Sequence, residues 1–536
     1  MNQQTSRAQL WIVGGGIAGM AAAAFAIRDA GVPGSQIHIL EELDVAGGAL
    51  DGARAASHRA AWVTRGGRML EDEAYRCTWD LFSSIPSLDN PKVSVRKEIA
   101  AFNERVRTHA HARLIDRDHQ ILDASSYGFD GRDRLELLRL LALSEHGLGA
   151  KRIDEMFGEH FFRTNFWQMW RTTFAFQNWH SAVELRRYFL RFIQEVDHMH
   201  TLSGVRRTVY NQYDSMVVPL QRWLTAHGVD VRFGTRVTDV DFAYQAGERR
   251  ATRLAIETRA GASAIELGPD DHALITLGSI TADATYGDND HAPALIRDRR
   301  DHAWRLWQTL ADKAGDFGRP AAFYGNIDDN KWESFTLTMR GDRLLRRIVE
   351  ISGNDPGTGA LMTWVDSPWL LSLVVPHQPH FRDLPPDTYT AWGYGLFIDR
   401  PGAYVAKPMA AATGREILTE LIHQLGCPEL LDEALASTDV TPVMLPYASS
   451  LFSPRTAHDR PKVVPDGAKN FAFLGQFTEL PEDVVFTVEY SVHGAMHAVY
   501  RLLGVPRAIP PIYHGLRDPK VAMSALAAVF THPGAA

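Results

Sequence analysis

Three glycines and one glutamate near the start of the chain have the spacing of a dinucleotide site. Gly14, Gly16 and Gly19 form a G-x-G-x-x-G pattern, and Glu41 ends a later apolar run. A glycine at the second position lets the backbone approach a pyrophosphate, and an acid at the position of Glu41 can accept hydrogen bonds from a ribose diol. These residue types at this spacing predict that the chain binds a dinucleotide.

The segments around the glycines predict the strand, turn, helix and second strand that such a site requires. Residues 8–13 are apolar and strand-like, residues 20–30 are rich in alanine, and residues 37–40 form another apolar run. Free N–H groups where the helix starts, around Ile17 and Ala18, would face the phosphates. The alternative interpretation is a glycine-rich turn that only packs a helix on a sheet.

We expect FAD rather than NAD, because the pattern lies at the extreme N-terminus and a second glycine pair, Gly47-Gly48, follows the acids Glu41 and Glu42. A later loop places two glycines between two arginines, which suits close approach of the backbone to a flat or anionic group. Two further turns follow strand-like runs and would meet the cofactor again. The residues expected in these three places are Arg65, Gly66, Gly67, Arg68, Gly278, Ser279 and Gly475.

Composition narrows the class of protein. The chain has 536 residues and a net charge of −8, so a general attraction to nucleic acid is not expected. It has no apolar run long enough to cross a membrane and no signal-peptide core at its start. Its two cysteines favour a reducing cytoplasm, and its histidines show no metal-ligand spacing, so we expect no metal.

The order of the elements predicts an α/β fold, with a Rossmann-like FAD-binding domain, a substrate domain and a helical cap, discontinuous in sequence. We expect the FAD-binding domain at 1–95, 205–285 and 460–505. The predicted remainder comprises an aromatic-rich helical cap at 96–204, a substrate-binding domain at 286–459 and a C-terminal helical tail at 506–536.

Residues 157–193 are the most aromatic part of the chain, and spacings of three and four put several rings on one helical face. One interpretation is a buried helical core. The other is the wall of an apolar cavity for a long hydrophobic ligand, with Phe176 and Trp179 among the residues that contact it. The two are compatible, since a cavity wall is also part of a core.

Several stretches together resemble the oleate hydratases, also called myosin-cross-reactive antigens, from about residue 10 to residue 505. The most specific are FWQMWRTTFAFQNWHSAVELRRYFLRF, YNQYDSMVVPL, NFAFLGQF and PEDVVFTVEYSV. The resemblance implies an FAD-dependent hydratase that adds water to the cis double bond of a free unsaturated fatty acid. It implies that oleate gives 10-hydroxystearate with no net redox change, and that the flavin serves structure and electrostatics.

The resemblance also implies roles for individual residues. Tyr188 matches the tyrosine proposed to protonate the alkene; the alternative is a tyrosine packed in the core. The family has a glutamate after its R-G-G-R loop, proposed to orient water, but here that position is Met69. Methionine has no acid–base capacity, so the role cannot be carried over. Glu71 and Glu73 are the nearest carboxylates that could replace it.

A second departure concerns the family run that is thought to hold the substrate carboxylate. Gln378 and His380 match it, whereas its threonine and asparagine positions are Val374 and Pro376. His380 is therefore the expected partner of the head group. A third departure is the short N-terminus, since many relatives have an arm that contacts a second copy, so either a monomer or a homodimer is expected.

Two other functions stay open at this point. One is a redox flavoenzyme of the amine-oxidase or desaturase type, in which the glycine pattern and the G-G-R loop also occur. The other is a non-catalytic flavoprotein that binds lipid, which the methionine at position 69 keeps open. The sequence leaves peripheral contact with a membrane undecided, although residues 521–530 are a candidate amphipathic helix.

Overall fold

The computed structural model describes residues 8–50, 62–66, 69–299, 302–359 and 361–531. The strands are β1 Leu10–Val13, β2 Ile37–Leu40, β3 Leu114–Ile115, β4 Asp230–Arg232, β5 Arg236–Gln245, β6 Glu248–Thr258, β7 Gly261–Glu266, β8 His272–Thr276, β9 Thr285–Tyr286, β10 Trp332–Arg340, β11 Met362–Trp364, β12 Leu371–Val374, β13 Thr388–Gly395, β14 Thr438–Leu445 and β15 Phe471–Leu474.

The α-helices are α1 Ile17–Arg28, α2 Arg76–Phe82, α3 Val95–Arg105, α4 Gly131–Ala142, α5 Glu145–Leu148, α6 Asn165–Phe174, α7 Ala182–Arg191, α8 Val218–Ala226, α9 His302–Ala311, α10 Ala321–Tyr324, α11 Ile327–Asn330, α12 Arg343–Ser352, α13 Gly414–Gln424, α14 Leu431–Ser437, α15 Val488–Leu502 and α16 Pro519–Thr531. Among the described residues, no helix is both long and apolar enough to cross a membrane.

A parallel sheet in the order β15-β8-β1-β2-β4 is assembled from distant parts of the chain. All four residues of β1 are buried, as parallel strands covered on both faces require. The strands β1 and β2 confirm the apolar runs at 8–13 and 37–40 within two residues, and β8 and β15 are the strand-like runs that precede Gly278 and Gly475. The Rossmann-like α/β fold is therefore confirmed, and its sheet is discontinuous in sequence. The division into domains stays a prediction.

The turn from β1 into α1 depends on its glycines. Gly14 has φ +97°, a conformation that favours glycine. A Cβ on Gly19 would lie 2.1 Å from the carbonyl oxygen of Gly14, so only glycine lets the helix pack this closely on the strand. The helix begins at Ile17, three residues earlier than the apolar run suggested, because its first turn includes the glycine pattern.

A mixed sheet in the order β3-β11-β12-β13-β10-β14-β9 forms the second large layer. Its long central strands β10, β13 and β14 were not identified from the sequence, although apolar and polar residues alternate along residues 335–340 of β10. On β10, Phe335, Leu337 and Met339 face the core under α12 and α13. Trp332, on the opposite face, packs with Trp392 of β13.

The aromatic region folds into α6 and α7, and its rings form a buried core as predicted. The rings of Trp170 and Phe189 stack with centroids 4.3 Å apart. Upstream, the helix α2 covers Arg76–Phe82. The Glu489 carboxylate accepts hydrogen bonds from the N–H groups of Cys77 and Thr78 and so fixes the start of α2.

Candidate functional site

A first cavity lies at the carboxyl ends of the parallel strands, where the helix α1 begins. Its walls include residues of the glycine turn, the acids after β2 and the turns after β8 and β15. The predicted cofactor residues that line it are Gly14, Gly16, Ile17, Ala18, Glu41, Glu42, Gly48, Arg65, Gly278, Ser279 and Gly475. Segments far apart in sequence thus meet in one place, as the sequence predicted.

The cavity fits a dinucleotide in three respects. The start of α1 has no side-chain cap, so its first N–H groups are available to an anion. Gly16 lies against Gly48, whose Cα is 3.8 Å from a Cβ built on Gly16, and the rest of that space is open. The Thr276 hydroxyl faces the cavity, buried without a hydrogen-bond partner in the described part of the chain.

Glu41 is held in place by the backbone. Its carboxylate accepts hydrogen bonds from the N–H of Gly15 at 2.6 Å and of Leu43 at 2.8 Å. Arg65 donates to the Gly48 carbonyl at 2.9 Å, which joins the second glycine pair to the later loop. Gly19 and Gly47 support the turn without lining the cavity. Gly67 and Arg68, also predicted at the cofactor, lie outside the described residues.

Two further cavities adjoin the first. The second is more polar than the third and is lined by Ala49, Leu50, Thr64, Gly66, Arg207, Thr208, Asn211, Gln212, Gly357, Gly359, Val374, Val375, Pro376, His377, His380 and Trp392. The third is largely apolar and is lined by Gly66, Met69, Tyr75, Thr172, Thr173, Phe174, Ala175, Tyr188, Phe192, Arg207, Trp332, Leu361, Val374, Trp392, Tyr394, Phe486, Thr487 and Val488. The first and second share Ala49 and Leu50, and the first and third share Thr487 and Val488.

Tyr188 and Met69 meet in the third cavity. Tyr188 is almost fully buried, and its hydroxyl donates a hydrogen bond to the Val485 carbonyl at 2.5 Å. Edge-on contacts with Phe174 and Phe176, at centroid distances of 5.0 and 5.1 Å, fix the orientation of its ring. The tyrosine is thus both packed in the core and open to a cavity, so neither interpretation excludes the other.

Buried ion pairs join α7, which carries Tyr188, to the loop 479–487, which carries Val485. Arg187 donates to the Glu479 carboxylate at 2.7 Å and to the Leu480 carbonyl at 3.3 Å. Arg191 lies 3.5 Å from Asp483. Burial alone would raise the pKa of Asp483, but Arg191 and the neighbouring His493 lower it, so the carboxylate stays charged.

Glu71 and Glu73, the predicted substitutes for the family glutamate, do not line the third cavity. The Glu71 carboxylate accepts a hydrogen bond from the Ala74 N–H and lies beside Glu73 and Glu195. Burial, and then Glu73, raise the pKa of Glu71, whereas the hydrogen bond from Glu71 lowers the pKa of Glu73. The structure therefore does not bring either carboxylate together with Tyr188, because the chain turns away after Met69.

The residues predicted to bind substrate do not lie together in one cavity. His380 lines the second cavity, where burial and then the neighbouring Arg207 lower its pKa to about 3, so its ring is neutral. Gln378 lines none of the three cavities, because its amide is engaged with the backbone of Pro376 and Thr390. Phe176 lies behind Tyr188, and Trp179 packs on His180; neither lines the third cavity.

Sequence reasoning missed several residues of the cavities. Gln212 is within the YNQYDSMVVPL stretch, and both polar atoms of its side-chain amide are buried without a partner in the described chain. Arg207 lies five residues before it and lines two cavities. Trp332 and Trp392 come from strands that the sequence did not indicate. Only the position of Gln212 in a family-specific stretch could have pointed to it.

The model of the MCRA family matches residues 7–500 of this sequence. The chain belongs to the MCRA family. It is 40% identical over 519 residues to an oleate hydratase from Streptococcus pyogenes, covering 95% of this chain and 87% of that protein. It is 34% identical over 564 residues to a linoleate hydratase from Lactiplantibacillus plantarum, covering 97% of this chain and 98% of that protein. The resemblance seen in the sequence is confirmed.

Solved structures show the same fold at low identity. A cyclohexylamine oxidase from Brevibacterium oxydans has a TM-score of 0.51 at 13% identity, over 93% of this chain and 99% of that one. A triple mutant of putrescine oxidase has a TM-score of 0.52 at 11% identity, over the same shares of the two chains. At this identity the likeness concerns the fold alone.

Replacing Gly16 with alanine should weaken binding of FAD and leave the fold intact. A Cβ at this position meets no atom closer than 3.8 Å but would occupy the space where the backbone approaches a pyrophosphate. In a titration of cofactor-free protein followed by flavin fluorescence, we expect the affinity to fall at least about tenfold, with an unchanged melting temperature. Gly131→Ala, in open space, is the control; equal FAD affinity in both variants would contradict this site.

The free energy of unfolding should depend on pH through Glu195, a buried carboxylate beside Glu71. Burial, and then Glu73 and Asp197, raise the pKa of Glu195 from 4.5 to about 7 in the folded chain. An acid with a raised folded pKa stabilises the fold below its unfolded pKa, and this stability is lost as the pH rises through the folded pKa.

Between pH 4.5 and 7 the free energy of unfolding, measured with urea, should therefore fall by on the order of 2 kcal/mol through Glu195. Glu195→Gln should flatten this part of the profile, while the exposed Glu104→Gln should not change its slope. Parallel profiles for wild type and Glu195→Gln would show that Glu195 does not titrate in this way.

Proposed function

We propose that the chain is a hydro-lyase that adds water to the cis double bond of a free unsaturated fatty acid, oleate to 10-hydroxystearate, with FAD bound. The observation that carries the proposal is the position of Tyr188 in the apolar third cavity, which adjoins the first cavity. The relatives of this chain are named as oleate and linoleate hydratases. A long acyl chain fits such a cavity, and a phenol can supply the proton.

FAD would be held by the first cavity. The N–H groups at the start of α1 would bind its pyrophosphate, and the acid Glu41 its ribose. Arg65 and the turns at Gly278 and Gly475 close the other sides. A bound isoalloxazine ring would provide a flat wall beside the acyl chain and, when reduced, a negative charge near developing positive charge.

The proposed reaction in the third cavity has three steps. The Tyr188 phenol gives its proton to one alkene carbon, and the oxygen of a water molecule bonds to the other carbon. The water then releases a proton, which restores the phenol through solvent, so atoms and charge balance. Because a phenol has a reference pKa of about 10, close alignment with the double bond must supply much of the rate.

The hydroxyl of Tyr188 starts from a defined position. Its proton points at the Val485 carbonyl, and the loop 479–487 is fixed to α7 by Arg187 and Arg191. We infer that substrate binding turns the hydroxyl from this carbonyl towards the alkene. Among the described residues, no carboxylate lines the second or third cavity, and we infer that hydroxyl and backbone groups would hold the water near Met69.

A peripheral contact with a lipid surface would give access to a substrate that partitions into membranes. On α16, Met523, Leu526 and Phe530 are between 49% and 65% exposed. The Arg134 side chain of α4 donates to the Val529 carbonyl at 3.0 Å and covers the Phe530 ring, and Leu135 and Leu138 of α4 are also exposed. With the exposed Lys520 nearby, this surface of α16 and α4 suits an anionic bilayer.

We place the enzyme in a reducing cytoplasm, as the sequence suggested. Both cysteines, Cys77 and Cys427, are buried and unpaired. Burial raises the pKa of Cys427 to about 11, which makes its thiol unreactive. The choice between a monomer and a homodimer stays a prediction.

Tyr188→Phe should abolish most hydration of oleate while FAD content and melting temperature stay unchanged. Loss of a general acid costs about 10²- to 10⁴-fold in turnover. Mass spectrometry of the products, with and without oxygen, is the measurement. Phe176→Leu, behind the tyrosine, is the packing control and should retain most of the rate.

Near-wild-type turnover in Tyr188→Phe would remove this residue as the acid. Consumption of oxygen with release of hydrogen peroxide, instead of hydroxy acid, would favour the redox flavoenzyme. Fatty-acid binding without any turnover, even with reduced FAD, would favour the non-catalytic lipid-binding protein.

The triple substitution Met523→Ser, Leu526→Ser and Phe530→Ser should reduce co-sedimentation with vesicles of phosphatidylcholine and phosphatidylglycerol. The triple variant removes apolar area from the surface of α16 and α4, and burial of such side chains contributes about 1.5–3 kcal/mol each. Tyr404→Ser, an exposed aromatic residue elsewhere, is the control. Equal sedimentation of all three proteins would exclude this surface as the lipid contact.

A further inference from the structure

An arginine without an acidic partner lies where the second and third cavities meet. Arg207 lines both cavities. Within the described part of the chain, its guanidinium forms no hydrogen bond or ion pair, although its backbone is fixed by two hydrogen bonds with Asn103. The adjacent Arg206 differs, because it pairs with Asp72 at 2.7 Å outside the cavities.

The surroundings of Arg207 leave its charge uncompensated. Burial lowers its pKa to about 10, so the guanidinium remains charged at neutral pH. The described walls of both cavities contain no aspartate or glutamate. The nearby Arg113 is also cationic, and His380 is neutral. Because buried charges in proteins are paired, an anion that is not part of the described chain is expected here.

The polar atoms next to Arg207 are also left without partners. Both amide atoms of Gln212 and Nδ1 of His377 are buried in the wall of the second cavity without a hydrogen bond in the described chain. A carboxylate accepts hydrogen bonds at two oxygens, which suits one charged and one neutral donor. The second cavity can therefore bind an anionic group with Arg207 and Gln212 together.

The two cavities differ in polarity on either side of Arg207. The second presents hydroxyl, amide and imidazole groups, whereas the third presents mainly the apolar side chains around Tyr188. A ligand that fills both would have an anionic head and a long apolar body. At Val374 and Pro376, where the family has a threonine and an asparagine, this chain has no side-chain donor.

We propose that Arg207 binds the carboxylate of the fatty acid by an ion pair and thereby takes the place of the two missing polar side chains. The proposal rests on the proposed function, since it assigns the head group of that substrate. It makes the chain selective for free fatty acids over their esters and alcohols. It also sets the distance along the acyl chain at which the double bond meets Tyr188.

Binding can be measured without turnover, using fluorescence of cis-parinaric acid and of its methyl ester with the FAD-loaded protein. For the acid, Arg207→Gln should weaken binding about 10- to 100-fold, as expected for loss of a charged hydrogen bond. For the ester, the same variant should change affinity less than about twofold. Arg207→Lys should keep part of the preference for the acid, and Arg206→Gln, the matched control, should keep all of it.

Turnover of oleate gives a second, separate reading. In Arg207→Gln we expect KM to rise with the loss of binding, and FAD affinity to stay unchanged. Undiminished binding of the acid by Arg207→Gln would overturn the proposal, as would loss of FAD affinity, which would assign Arg207 to the cofactor. Should Arg207→Gln fail to fold, equal affinity of wild type for acid and ester would overturn it instead.

The two proposals can fail separately. If the protein hydrates oleate and the rate does not depend on Arg207, the proposed hydratase activity stands and the proposed ion pair is wrong. If the wild type binds the acid selectively but does not hydrate it, the proposed ion pair stands and the proposed hydratase activity is wrong.

Discussion

The attachment of the helix α7 to the loop 479–487 is the constraint on which the proposed site depends. Arg187 and Arg191 are each only 2% exposed on their side chains, and both contact this loop. The loop presents the Val485 carbonyl to Tyr188 and continues into α15 through Thr487 and Val488, which line both the first and the third cavity. One set of buried charges therefore positions the Tyr188 hydroxyl, the proposed acid, relative to the first cavity. Removal of one partner would leave a buried charge unpaired, which typically costs about 3–5 kcal/mol.

The local sequence pattern was sufficient to predict residues that form the first cavity. Glycines at fixed spacing, followed by an apolar helix and an acid, have few structural solutions, and Gly14, Gly19 and Glu41 lie where the pattern predicts. The long strands β10, β13 and β14 were not identified in this way, because β10 pairs with segments between 48 and 113 residues further along the chain, and no local pattern shows which segments will pair.

The third cavity shows what a family resemblance can and cannot supply. The resemblance pointed to Tyr188, and in the structure both Tyr188 and Met69 line the third cavity. It could not show that Glu71 and Glu73 face away, since that depends on the turn after Met69 and on contacts with Glu195. Nor could it indicate Arg207, whose proposed role rests on the absence of acids in the described walls of two cavities. Such an absence becomes visible only when distant segments are assembled.

In the proposal, the absence of a carboxylate among the described residues of these walls relates the chemistry to the selection of substrate. Pairing of Arg207 with the substrate's own head group, as proposed, fixes the position of the acyl chain relative to Tyr188 and so ties protonation to correct binding. The ester, which lacks the negative charge, would leave the cation in place.

The most direct test of the account is the source of the atoms added to the double bond. Oleate is incubated with the FAD-loaded protein in water enriched in ¹⁸O and in deuterium, and the product is analysed by mass spectrometry. The account predicts one ¹⁸O in a hydroxyl group and one deuterium on the neighbouring carbon, with the same yield in the absence of oxygen. Oxygen derived from O₂, or a product that forms only with O₂ present, would contradict it.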